Sequence, residues 1–543
     1  MRIDGNMDKK IHLSLEEILY YLFFGILFAA KGIGLEYGQR PFTLCILISL
    51  ICLGVKLCLT GHTVKEWLTM AMLVLLGVAI YLTSGELAAL AAVLVIIGMK
   101  NIPVKRLMGV CLGIWGMTFA FSAVLGILHI KDGVVLVHSK LGLGPVIRWS
   151  LGYTHPNVLH VSYFILIELI LYVCNLHGKR LAVLTGVLFA GNILVFLYSL
   201  SYTGILITTG YLALNFYLDC RMKLCLSERI LFQCILPFCV LFPLVGPFVT
   251  HGKVYELFNK ALSTRFDLVK TFYTTFTPGL FGTRTYFETD AKLTLDSSFA
   301  YMLMYYGVIA FTLFVAGYFL VIRQMIRERR HAELAIVIGT VVAGITEQFL
   351  FNLSFKNLTL FFLGEFLFGS VLKRKENGTL WNKEICILKT ETAEVKLPDY
   401  TGYLKTWKAY VREHRIRLVM ITVLAVFGFA AVYTGTANVP DGVYVYRRST
   451  DYKNLEEIVH LDMEQLPEDF NSLVIGYQGP DADMYYFTGN IVKLEYVRNV
   501  TGAGVLGIFM SAVCAAGISA YSCGKYINRF ERQGISNEST DGE

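Results

Sequence analysis

A chain of 543 residues that is 55% hydrophobic and only 16% charged, with a mean hydropathy of +0.56, is too apolar for a water-soluble globular fold. It reads as an all-α polytopic membrane protein, because uniformly apolar runs of about 20 residues match bilayer-crossing helices and lack the alternation of barrel strands. The formal net charge of +7 follows from lysines and arginines beside those runs, and no nucleic-acid partner is expected.

In chain order, the runs predict spans near 15–31, 41–59, 65–83, 86–99, 107–130, 157–175, 180–199, 202–219, 229–250, 297–322, 332–352, 356–372, 416–435 and 502–523, about 14 helices. The first follows Lys9 and Lys10 without a small-residue cleavage site, as expected of an uncleaved anchor. Alternate loops carry Lys100, Lys105 and Arg106, then Lys179 and Arg180, Arg221, Lys223 and Arg229, the arginines 323–330, and Lys373, Arg374 and Lys375. The intervening short turns at 84–86, 200–202 and 353–355 carry no lysine or arginine. Basic loops stay in the cytoplasm, so both termini are expected there and segments 131–156, 251–296 and 436–501 outside.

Residues 1–371 are expected to form a transmembrane core with outer loops 131–156 and 251–296. A polar cytoplasmic connector, 372–415, follows; in "YTGYLKTWKAYVREHR", Tyr400, Tyr403, Trp407 and Tyr410 recur at helical spacing, as in an amphipathic helix lying on the inner leaflet. Span 416–435 leads to a small extracytoplasmic α+β module, 436–501, with β-like runs "GVYVYRR", "SLVIGY", "DMYYFTG" and "IVKLEYV" around a helical "NLEEIVHLDMEQL". Span 502–523 and a cytoplasmic tail, 524–543, complete the chain as given. All 12 cysteines lie in predicted spans or cytoplasmic segments, and Cys220 and Cys225 complete no metal-ligand spacing, so neither disulfides nor a metal is expected. No Gly-rich phosphate loop of Walker type is present, which argues against an ATP-driven transporter on this chain alone.

Polar residues collect where the outer loops meet the spans. "RWSLGYTHPNVLH" (148–160) brings Arg148, Tyr153, His155 and Asn157 to the start of a span; the outer loop 251–296 brings Arg265, Lys270, Arg284 and Asp296. His155 also fits a helix cap, because Pro156 suits the first turn that follows. Glu347 and Glu365 fall inside predicted spans, where an ionisable group is costly and is a functional candidate by default, Glu365 with a basic partner such as Lys373.

The ordered series "SLGYTHPNVLH", "STRFDLVKTFY", "GLFGTRTYF", "LDSSFAYMLMYYGVIAF" and "ITEQFLFNLSFKNLTLFFLGEF" resembles the polysaccharide polymerase and O-antigen ligase family over roughly residues 10–371. Gly152, Tyr153, His155, Pro156 and Asn157 match its Gly-aromatic-x-His-Pro-Asn stretch, and Arg265, Phe281–Gly282 and Asp296–Ser297 stand at its outer-loop positions. Thr264 replaces a frequent glycine, and the family's Ser-Arg-Thr appears as Ser201-Tyr202-Thr203. Ligases of the family carry a histidine near the start of the span after the large loop, and none lies between His251 and His331, which favours polymerase over ligase.

The resemblance implies a glycosyltransferase-C-like helical bundle in a bacterial plasma membrane, needing no cofactor. Its reaction joins undecaprenyl-diphosphate-linked oligosaccharide repeat units into capsule, exopolysaccharide or O-antigen on the outer face. Arg265, helped by Arg148 or Arg284, would hold the diphosphate, and His155 or Asp296 would act as general base. Tyr153, Asn157, Lys270 and Glu347 are further substrate-binding candidates, with membrane lipid, a flippase and a chain-length regulator as partners. A ligase, or a flippase of lipid-linked oligosaccharide, is the alternative; against the transporter, no two similar halves are visible.

Overall fold

The computed structural model describes residues 11–128, 130–131, 135–140, 144–287, 293–373, 380–388, 394–397, 411–436, 443–448, 455–461, 476–478, 484–487, 496–515 and 517. Two compact units divide the chain: a larger one of Leu15–Ala123 and Arg148–Thr392, and a smaller one of Met1–Ser14, Val124–Ile147 and Ala393–Glu543.

The larger unit is a helical bundle. Its first helices are α1 (Leu15–Gly32), α2 (Arg40–Leu59), α3 (Val64–Ser84), α4 (Ala88–Ile97) and α5 (Val104–Ile127, whose last turn passes into the smaller unit). They are followed by α6 (Pro156–Cys174), α7 (Gly178–Ser199), α8 (Tyr202–Asp219) and α9 (Leu226–Val249). Two short helices, α10 (Gly252–Ala261) and α11 (Arg265–Thr275), occupy the predicted large loop. Then come α12 (Ser298–Tyr305), α13 (Gly307–Glu328), α14 (His331–Ala343) and α15 (Thr359–Phe366). Local chemistry sets several starts: α3 opens with a capping box in which Thr63 Oγ1 accepts from the Glu66 amide at 3.2 Å and Glu66 Oε2 accepts from the Thr63 amide at 2.7 Å.

The chain is a multi-pass membrane protein: among the described residues nine helices are long and apolar enough to cross a bilayer. These are α2, α3, α5, α6, α7, α9, α13 and two helices of the smaller unit. The other predicted spans hold the short α4, α14 and α15, and the 18-residue α1 and α8. The bundle interior is aromatic, with Phe28 stacked on Trp115 at 4.4 Å and Phe24 edge-on to Phe361 at 4.8 Å.

Two predicted spans are interrupted. The run 297–322 is α12 and α13, broken at Gly307, whose φ of +81° suits only glycine without strain. The backbone of the preceding loop seats against the break: the amides of Val308 and Ile309 donate to Gly279 O and Leu280 O at 3.1 and 3.3 Å, and the Thr283 amide donates to Met304 O at 2.8 Å. Groups freed by the break are thereby satisfied inside the protein, as an apolar surround demands. The run 332–352 is helical only to Ala343, then turns into a short 3₁₀ segment, Gln348–Leu350. Glu347 therefore lies outside the helix, not within a continuous span.

In the smaller unit, Ile11–Ser14 pairs antiparallel with Glu394–Leu397. Helices α16 (Arg415–Thr436) and α17 (Tyr496–Ala515) approach closely, since a Cβ on Gly507 would lie 2.8 Å from Ala425 O. Between them in the chain is a four-stranded sheet in the order Leu455–Leu461, Val443–Arg448, Met484–Phe487, Gly476–Gln478. The predicted helix "NLEEIVHLDMEQL" is thus corrected: Leu455–Leu461 is a strand, with Val459 opposite Val445 and Glu456 opposite Arg447. The run "IVKLEYV" is corrected too, because Tyr496 already begins α17; residues 488–495 lie outside the described residues, as do 398–410 of the proposed interfacial helix and the tail 524–543.

Candidate functional site

The segment before α6 is shaped by its own sequence. Leu151 and Gly152 take positive φ (46° and 77°), and the Tyr153 amide closes a turn on Ser150 O at 3.0 Å. His155 caps the helix, its Nδ1 accepting the Asn157 amide at 3.0 Å while Pro156 occupies the first turn. Arg148, 2% exposed, donates from Nε to Ser199 O at 2.7 Å and from Nη2 to Asn157 Oδ1 at 2.6 Å. His160, one turn into α6, is a packing group: Nδ1 meets Ser199 Oγ at 2.9 Å and Nε2 meets Asn192 Oδ1 at 2.8 Å. Gly204 of α8 makes room for that ring, since a Cβ there would lie 2.4 Å from it.

Arg265 opens α11 after Ser263 and Thr264, both with positive φ. It is 6% exposed, with Nε donating to Thr346 O at 2.8 Å and Nη1 to Leu262 O at 2.9 Å. Nη2 faces two carboxylates, Asp296 Oδ2 at 3.4 Å and Glu347 Oε1 at 3.6 Å. Thr203 Oγ1 donates to the same Glu347 oxygen at 3.1 Å. Burial pushes the Glu347 carboxyl up to about 7, with Arg265 opposing and Asp296 reinforcing the shift. Burial also raises Asp296, again against the pull of Arg265.

Both carboxylates line a cavity of about 590 Å³ that also receives Tyr153, His155 and Asn157. Three segments far apart in sequence, 153–157, 296 and 347, therefore meet. Arg148 and Arg265 are not in the wall; each stands behind a lining residue, Arg148 on Asn157 and Arg265 on Asp296 and Glu347. Lys270 and Arg284 are exposed and away from the cavity, Lys270 with Nζ 5.4 Å from the Tyr255 ring and Arg284 beside Gly85. Glu365 pairs with Arg330 at 2.7 Å rather than with Lys373.

Sequence reasoning missed Thr203 as a partner of Glu347, and missed Lys31 and Lys356, which line the same cavity. A lysine at the edge of an apolar run reads as an interfacial anchor, so no local signal separates these two from the other span-edge lysines. Among the described residues no group of three or more His, Cys, Asp or Glu side chains converges on a metal position. No protein-family model, curated protein or solved structure matches the chain.

Proposed function

We propose that this protein polymerises polyprenyl-diphosphate-linked oligosaccharide repeat units into a bacterial surface polysaccharide, by glycosyl transfer within this cavity at the outer face of the plasma membrane. The observation that supports the reading most directly is the meeting of His155, Asn157, Asp296 and Glu347 in one cavity of about 590 Å³, a volume suited to a few sugar rings. Carboxylates and amides are the groups that accept and donate to sugar hydroxyls, and Tyr153 adds an aromatic wall.

In the proposed step an acceptor sugar hydroxyl attacks the anomeric carbon of the donor. The new carbon–oxygen bond forms as the bond to the diphosphate breaks, and the diphosphate leaves with the electron pair. Glu347 takes the hydroxyl proton. A carboxyl tuned to about 7 suits this, being a stronger base than an ordinary carboxylate while about half of it is still ionised at neutral pH. His155 is less suited, because its Nδ1 accepts the Asn157 amide. Arg265 holds Asp296 and Glu347 in position rather than touching the donor.

Identifying the lipid-linked glycan that accumulates in cells lacking the protein tests the reading. Single repeat units on the outer face are expected. Unattached long polymer would indicate a ligase, and repeats trapped on the inner face a flippase; either result would overturn the proposal.

A further inference from the structure

Two lysines of the cavity make no hydrogen bond or close ion pair with the acidic wall or with the His-Pro-Asn segment, although the Glu347 carboxylate attracts Lys356 through space. Lys31 lies at the end of α1, and Lys356 in the non-helical segment before α15; both line the cavity. Lys356 is only 5% exposed, yet among the described residues its ammonium meets no carboxylate, carbonyl or hydroxyl, only the Trp115 ring with Nζ 5.7 Å from the centroid. Lys31 has the Phe42 ring 4.4 Å from Nζ and, among the described residues, no hydrogen-bond partner, with Glu36 attracting it through space. Glu36 also lines the cavity but is not within ion-pair distance of either lysine.

The contrast with other lysines of the bundle is direct. Fully buried Lys56 donates to Lys100 O at 2.8 Å, and Lys100 reaches Glu66 at 2.6 Å. Burial pulls the Lys356 ammonium down to about 7, and a cation there without a hydrogen-bonded partner is costly, so its retention beside an open cavity points to an anion that arrives from outside and restores the charge. Arg148 and Arg265 are poorly placed for that anion, since they stand behind the wall and are bonded to it. Lysine grips phosphate as a point charge on a flexible stem, and an aromatic face behind it keeps the head group directed forward.

We propose that Lys356, together with Lys31, holds the diphosphate of the polyprenyl-linked donor, an assignment that rests on the glycosyl-transfer reading above and transfers the anion grip from the two arginines to these two lysines. The test uses the full-length protein in lipid nanodiscs, with undecaprenyl diphosphate as probe and inorganic pyrophosphate and phosphatidylglycerol as competitors. The wild type is expected to bind the probe, Lys356→Met and Lys31→Met to weaken it about ten-fold each, the double variant to weaken it further, and Lys356→Arg to restore most of the affinity. Competition by pyrophosphate supports a diphosphate site; equal competition by phosphatidylglycerol would make it a lipid-headgroup site and overturn the donor assignment.

Thermal unfolding separates binding from structure. Removing an unpaired buried charge should leave Lys356→Met as stable as the wild type or more so. A lowered melting temperature would mark the lysine as structural and overturn the proposal, as would unchanged binding in the double variant. If the wild type polymerises and the double variant both binds and polymerises normally, only the lysine assignment falls. If the wild type neither binds the probe nor polymerises, the glycosyl-transfer reading falls with it.

Discussion

Arg265 Nη2 stands 3.6 Å from Glu347 Oε1, joining the first residue of α11 to a carboxylate 82 positions later in the chain. With Asp296 at 3.4 Å on the same nitrogen, one guanidinium stabilises two carboxylates that otherwise repel. Its other nitrogens are bonded to Thr346 O and Leu262 O, so the fork is fully directed by the protein.

Removing that guanidinium should therefore impair both folding and turnover. Arg265→Ala is expected to cost about 3–5 kcal/mol of stability, because a buried charge loses its partner. Repeat-unit transfer should fall on the order of 10²–10³-fold as the carboxylates lose their placement. Arg265→Lys should recover only part, having no planar fork. Thermal unfolding in detergent and a glycan gel check these outcomes; long polymer from the alanine variant would contradict them.

The pH dependence of transfer should follow Glu347. Its carboxyl, raised to about 7 by burial, is protonated below that pH and accepts no proton from the acceptor. Activity is thus expected to rise as pH increases through about 7. Glu347→Gln should lower the rate on the order of 10²–10⁴-fold and abolish that limb of the profile. An unchanged limb in the glutamine variant would assign the titration to another group.

Arg148 is expected to position rather than to bind substrate. Replacing it by Gln leaves Ser199 O and Asn157 Oδ1 without their donors, at about 1–3 kcal/mol. Asn157 then loses its orientation in the cavity wall. The signature is a raised KM for the acceptor with a smaller change in kcat, measured with short lipid-linked substrates.

Two glycines should resist enlargement for steric reasons. At Gly204 a methyl would meet the His160 ring at 2.4 Å, so Gly204→Ala is expected to cost about 1–3 kcal/mol by pushing that ring off Ser199 and Asn192. At Gly507 the obstacle is the α16 backbone, so Gly507→Leu should separate α16 from α17. Cysteine cross-linking between positions 426 and 504, where Val426 lies 3.5 Å from a Cβ on Gly504, should lose efficiency in the Gly507→Leu variant.

The apolar runs were legible as helices because crossing a bilayer imposes length and apolarity on contiguous residues, which a one-dimensional pattern carries fully. His155, Pro156 and Asn157 were legible for a similar reason: a helix start is a local event, and the cap lies two residues from the amide it accepts. Only the tertiary structure broke the run 297–322 at Gly307 and ended the next at Ala343, because the groups freed at Gly307 are satisfied by loop backbone from 279 to 280, out of reach of any local propensity. It alone put Arg148 and Arg265 behind the cavity wall and Lys31 and Lys356 in it. Whether a charge is paired depends on which distant groups surround it, and that is a property of packing in three dimensions rather than of any stretch of sequence.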